Sequence, residues 1–142
     1  GHINKQEIFL LMPEAKTIQN ELQNFEKTLK DQLSSMVAEY EQQMQDYQTN
    51  EATYTDLVKQ DKEAEIVGLQ QRIQAFQQNA QQSLQAKDQE LLEPIYAKAR
   101  KAIEDVATEG NYTYIFDKNN GAFLYAKESE NVIDLVKKKL KL

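Results

Sequence analysis

The chain has 142 residues, with 23 acids against 17 bases, a net charge of −6, no cysteine, four glycines and two prolines. These counts exclude disulfides, thiolate nucleophiles and cysteine-held metals. They supply too few turn residues for an all-β fold, and the charge argues against non-specific nucleic-acid binding.

The length suits one domain, or one small body with an extended appendage. No run of about 18 apolar residues exists, so no segment reads as a membrane-spanning helix. No signal peptide is visible, and the first apolar segment lies close to the first residue, as in a mature product.

Gly1 to Ile3 reads as a short strand. Asn4-Lys5-Gln6-Glu7 has capping-box spacing, so a short helix is expected over the apolar run that follows. Pro13 suits the first position of a second helix, where its missing N–H costs nothing. Glu14 then meets the positive end of the helix dipole. From Pro13 to Gly110 only Gly68 and Pro94 interrupt, so this stretch reads as long helices.

The first stripe runs Ile18, Leu22, Phe25, Leu29, Leu33, Met36, Tyr40, Met44, Tyr47, eight steps over 29 residues. That is about 3.6 residues per step, the period of a nearly straight helix. The second stripe runs Ile66, Leu69, Ile73, Phe76, Ala80, Leu84, Leu91, Ile95, Ala99, Ala102, Val106. It keeps the same period if Lys87 or Asp88 fills the one gap. A kink is expected near Pro94, and Gly110 is expected to close the helix as its left-handed cap. Between the stripes, residues 49–55 break the period, with Thr53 or Thr55 placed to cap the second helix. The matched arms predict an antiparallel hairpin roughly 60 Å long, at about 1.5 Å per residue.

After Gly110 the texture turns to β. Residues 112–117 and 122–127 flank Lys118-Asn119-Asn120-Gly121, and Asn-Gly is a strong hairpin signal. Ser129 is placed to cap a last helix carrying Val132, Ile133, Val136 and Leu140. Both β segments are apolar on both faces, and an isolated two-stranded hairpin is marginal in water. The expectation is an obligate oligomer: an α+β fold in which a long helical hairpin, like a tentacle, projects from a small β body completed by other copies. The body comprises residues 1–12 and 95–142, with Ile3, Tyr114, Phe116, Phe123 and Tyr125 as candidate intersubunit residues. The arm comprises residues 13–94, with its tip near 49–55.

Residues 13–94 hold 15 acids and 7 bases, whereas 95–142 hold 9 bases and 7 acids. Nine of the 20 residues from Gln70 to Gln89 are Gln, which suits a solvated helix face or a surface for soft contacts.

Enzymatic constellations are not found. His2, near the terminus, reads as incidental rather than as a ligand. No His/Asp/Glu set has metal-ligand spacing, no glycines group into a phosphate loop, and no serine sits in a nucleophile elbow. Asn111-Tyr112-Thr113 fits a glycosylation sequon, but only as a weak pattern at the start of a predicted strand. The lysines at 137–139 and 141 complement the dipole of the last helix. Tyr40, Tyr47 and Tyr54 read first as interhelical packing and second as aromatic contacts for a partner.

Taken in order, these segments resemble the Skp/OmpH family of periplasmic chaperones. The residues concerned are Ile3-Asn4-x-Gln6-Glu7-Ile8 with Met12-Pro13-Glu14, then Leu69-Gln70-Gln71-Arg72-Ile73-Gln74-x-Phe76-Gln77, and Glu90-Leu91-Leu92-x-Pro94-Ile95. They continue with Tyr112-Thr113-Tyr114-Ile115-Phe116-Asp117, the Asn-Gly turn and Val136-Lys137-Lys138-x-Leu140. The Gln-rich form looks like the Bacteroidetes-type branch. The resemblance implies a periplasmic homotrimer whose three hairpins enclose a cavity. It also implies an ATP-independent holdase for unfolded outer-membrane β-barrel proteins, with no cofactor and no catalytic residue. Well-known members are strongly basic, whereas this chain has a sequence pI near 4.9, so attraction of clients or lipopolysaccharide through basic arms is not implied, and membrane contact is left open. Candidate client contacts are Tyr47, Tyr54 and Leu57, read as arm residues unpaired between the helices. The alternative is a structural adaptor or spacer in the cell envelope, its hairpin docked to one partner.

Overall fold

The structure, a computed structural model, describes residues 1–120, 125 and 127–142. Along the chain come strand β1 (His2–Ile3), helix α1 (Lys5–Leu11), helix α2 (Pro13–Asn50), helix α3 (Asp56–Glu109), strand β2 (Phe116–Asp117) and helix α4 (Ile133–Leu140). One-turn 3₁₀ segments occupy Glu51–Thr53, Lys118–Asn120 and Glu128–Glu130. The long helices form a helical hairpin, and the strand pair is very small. The chain divides into two compact units: a head unit, Gly1–Glu21 with Asp88–Leu142, and an arm unit, Leu22–Lys87.

In the head unit, Asn4 caps α1, its side chain accepting the Glu7 N–H at 3.0 Å. Met12 adopts an extended conformation, as a residue before proline must, and α2 starts at Pro13. The core gathers Ile8 of α1, Met12, Ala15 and Ile18 of α2, Ile95, Ala102 and Val106 of α3, and Val132, Ile133 and Val136 around α4, all buried. Ion pairs then tie the elements together. Lys98 reaches Glu14, Lys139 reaches Glu109, Lys137 lies 3.5 Å from Glu7, and Lys5 lies 3.1 Å from Asp117.

The β expectations need correction. Residues 112–115 are not a strand. Only Phe116–Asp117 is, and it pairs in parallel with His2–Ile3. Just after it, the Asp117 carboxylate accepts the Asn119 N–H at 3.1 Å. This side-chain turn starts a 3₁₀ segment at Lys118–Asn120, and Gly121 of the expected Asn-Gly turn lies outside the described residues. The expected second strand falls mostly on residues 121–124 and 126, outside the described residues. Among the described residues the head is mainly helical and carries one short parallel ladder.

His2 is not incidental. It is buried, its Nε2 donates to the Lys127 carbonyl at 3.0 Å, and its backbone carbonyl accepts the Val132 N–H at 3.0 Å. A β-bridge also joins His2 to Asn131. The N-terminal strand is thus held from both sides.

Two caps also differ from expectation. The left-handed residue after α3 is Asn111, with φ of 50°, not Gly110. Gly110 serves another purpose: a Cβ there would lie 2.4 Å from the Tyr112 ring. Before α4, the side chain that accepts the Ile133 N–H belongs to Asn131, at 3.2 Å. Ser129 lies a turn earlier, in the 3₁₀ segment.

In the arm unit the burial pattern follows the predicted stripes. Leu22, Phe25, Leu29, Leu33, Met36, Tyr40, Met44 and Tyr47 are half-buried on α2, as are Ile73, Phe76, Ala80, Leu84 and the gap-filling Lys87 on α3. Only Ile66 and Leu69 are fully buried. Two helices give each other one contact face and no second layer, so most stripe residues keep one flank in water. Short-range ion pairs decorate the outer faces, including Lys27–Asp31 at 2.6 Å and Lys62–Glu65 at 2.9 Å. Such exposed pairs contribute only about 0.3–0.5 kcal/mol each. Thr55 caps α3, with the Val58 N–H 3.4 Å from its Oγ1. Helix α3 runs without a break through Gly68 and Pro94.

Candidate binding surfaces of the head and the arm

Among the described residues, no three His, Cys, Asp or Glu side chains are grouped so as to hold a metal, and no helix is long and apolar enough to cross a membrane. The surfaces that stand out are apolar. One is a cleft in the head and the other is the arm tip.

The cleft has a volume of about 970 Å³. Its walls are the outer side of α1 (Ile8, Phe9, Leu10), one flank of α3 (Tyr96, Ile103) and the strand residue Phe116. Phe9 and Tyr96 brace it, their ring centroids 5.6 Å apart. Five charges border it, Lys5 and Arg100 against Glu93, Glu104 and Asp117, with Lys5 and Asp117 paired to each other at 3.1 Å. Burial alone would raise the Asp117 carboxyl. The Asn119 N–H and the Lys5 ammonium outweigh that and hold it below the usual aspartate value. Nearby, the hydrogen bond from Lys98 holds Glu14 below the ordinary glutamate range.

At the arm tip, the Tyr47 hydroxyl donates to Glu63 Oε1 at 2.5 Å, bridging α2 and α3. The Tyr47 and Tyr54 rings lie 6.2 Å apart between centroids. The hydrogen bond to Glu63, desolvation and the nearby carboxylates push the Tyr47 phenol up to about 12. Across the turn, Lys59 lies 3.8 Å from Glu51.

The structure places the predicted site residues unevenly. Tyr47 and Tyr54 come together and are engaged with each other and with Glu63, so they are packing residues of the tip and not left-over side chains. Leu57 stands apart at 76% exposure, with Val58 beside it also exposed. Ile3 is buried inside its own chain. Tyr114 and Phe116 are exposed and in ring contact, with centroids 5.7 Å apart. Tyr125 is exposed, and Phe123 lies outside the described residues.

Sequence reasoning missed Phe9, Leu10, Leu11 and Tyr96. The signal was present in Ile8-Phe9-Leu10-Leu11. Four consecutive apolar residues on a seven-residue helix exceed what one core-facing side can bury.

No curated protein matches the chain. The family described as Outer membrane protein (OmpH-like) matches residues 1–140. With that match covering nearly the whole length, the chain belongs to the OmpH-like family.

Proposed function

We propose that this protein is an ATP-independent holdase that binds unfolded outer-membrane β-barrel proteins in the periplasm, and that it works as a homotrimer. The family is known for periplasmic chaperone roles. The observation that carries the finer reading is the arm: two stripes of apolar side chains that stay half-exposed over nearly the whole hairpin, on helices otherwise polar and rich in Gln.

Unfolded barrel strands alternate apolar and polar residues and aggregate through β-prone segments. A long surface offering many weak apolar contacts retains such a chain by avidity and leaves it mobile. Leu57 and Val58 extend that surface to the tip. The exposed aromatic residues of the head, Tyr96, Tyr114 and Phe116 among them, supply the surface for association of copies.

The test is the aggregation of an unfolded barrel protein, diluted from denaturant, with and without this protein and with no nucleotide. The expected result is suppression at stoichiometric amounts of trimer. Unchanged aggregation across salt concentrations would sink the holdase reading.

One observation supports the adaptor reading instead. A fixed docking partner needs a shaped apolar patch, and the head cleft is one. An adaptor would leave aggregation unaffected and hold a single envelope partner at a fixed ratio.

A further inference from the structure

The head exposes more apolar surface than a stable solvated unit needs. Leu10 is 71% exposed, Tyr96 and Phe116 48% each, Tyr114 67% and Tyr125 83%. At about 200 Å² per large side chain this is roughly 600 Å² per chain, close to the ~800 Å² per partner of a standard interface.

The surface has two shapes. The α1–α3 cleft is concave. Tyr114 stands outside it, its ring tilted against that of Phe116, which forms part of the cleft wall. The five bordering charges leave one acid in excess, so the cleft offers no positive site for an anion, and its walls are apolar. An apolar aromatic ring suits it.

Deepening the self-association proposed above, and resting on it, we infer that the copies meet with the Tyr114 ring of one chain seated in the α1–α3 cleft of the next. Such a contact is heterologous, with different patches on its two sides. A rotation that closes after three steps leaves neither a cleft nor a ring uncovered. A chain by itself would leave both in water, which is the physical reason for the occupant to be a second copy. Only a copy brings the matching ring and the matching cleft together.

The chain has no cysteine, so introduced ones report alone. Gln6→Cys marks the cleft border and Thr113→Cys marks the neighbour of Tyr114, and both leave the apolar walls and the ring in place. The two single variants are unfolded together, refolded and treated with a short bis-maleimide. The expected product is a covalent pair containing one of each chain, far above the yield from either variant alone. Tyr114→Ser, with helicity checked by circular dichroism, is expected to shift the light-scattering mass from three chains towards one. A three-chain mass with no mixed cross-link, or with Tyr114→Ser unchanged, would overturn the cleft contact while leaving self-association intact. A single-chain mass for the wild type at all concentrations would overturn both.

Discussion

Helix α3 repeats one apolar spacing in two places. In the head, Ile95, Ala102 and Val106 of the stripe are buried, with Leu91 before them and Ala99 between them half-buried. At Ile73, Phe76, Ala80 and Leu84, in the arm, the same spacing gives half-buried residues, and of the arm's α3 stripe only Ile66 and Leu69 are buried. The difference is the number of neighbours. In the head, Ile8, Met12, Val132, Ile133 and Val136 are buried as well, whereas the arm unit has one partner helix. Periodicity therefore says which side of a helix is turned inward, and the count of layers decides how dry that side becomes. The head is built for stability, and the arm keeps apolar surface available at low cost in cohesion.

The strongest way to break this comparison is to cut the same mass from each unit. Ile8→Ala in the head removes atoms from a fully buried site, and is expected to cost about 2–5 kcal/mol. Leu33→Ala, on the half-buried arm stripe, is expected to cost about 1 kcal/mol, since roughly half of its surface is already wet. Denaturant unfolding at one fixed chain concentration measures both. Equal costs would mean that the arm is covered by something its own unit lacks.

The glycines sharpen the contrast, because they are expected to differ in sign. A Cβ at Gly110 would overlap the Tyr112 ring at 2.4 Å and crowd the Val106 carbonyl at 3.1 Å. Gly110→Ala therefore forces Tyr112 off the helix end and costs about 1–3 kcal/mol. A Cβ at Gly68 would meet nothing within 4 Å, so Gly68→Ala should stabilise the arm by about 1 kcal/mol through helix propensity alone. A destabilised Gly68→Ala would show that the arm packs more tightly around that point than its open flank indicates.

Acid should act on the head first. Asp117 is held below its ordinary value by Asn119 and Lys5, and Glu14 by Lys98. A lowered carboxyl contributes stability above its unfolded value, of about 4, and loses it as pH falls through the folded value. Unfolding monitored by circular dichroism below pH 4 should be shallower in Asp117→Asn than in the wild type. An identical acid slope would remove Asp117 from the set of groups that hold the head.

Most of the hairpin was legible in the sequence because it rests on local rules. The stripes, the Pro13 start, the Asn4 and Thr55 caps and the tip at 49–55 each follow from residues a few positions apart. Even Lys87 filled the gap its spacing assigned to it. The head was less legible because its ordering contacts are remote in sequence. His2 is fixed by Lys127 and Val132, and Asp117 by Lys5. The start of the strand, expected at 112 and found at Phe116, was not legible either, because the ladder at Phe116–Asp117 is set by its remote partners His2 and Ile3. The candidate surfaces divided in the same way. The exposure of Leu57 was legible from the arm pattern, whereas the cleft requires α1, α3 and β2 to be brought together, which no single segment announces.

The smallest expected effect lies at the arm tip and has the opposite pH direction from the head. Tyr47 is pushed up to about 12 by its hydrogen bond to Glu63, with desolvation and Glu51 adding to it. A raised phenol binds its proton more tightly in the folded tip than in the unfolded chain. Its contribution is complete below the unfolded value, about 10, and is lost as pH rises through 12. The titration of tyrosinate absorbance should show one late group among the seven tyrosines, and Tyr47→Phe should remove it. Glu63→Gln should bring it down, because the hydroxyl then meets a neutral acceptor. If the late group survives Glu63→Gln, the bridge between α2 and α3 does not hold the tip, and Tyr47 is free to turn outward beside Leu57.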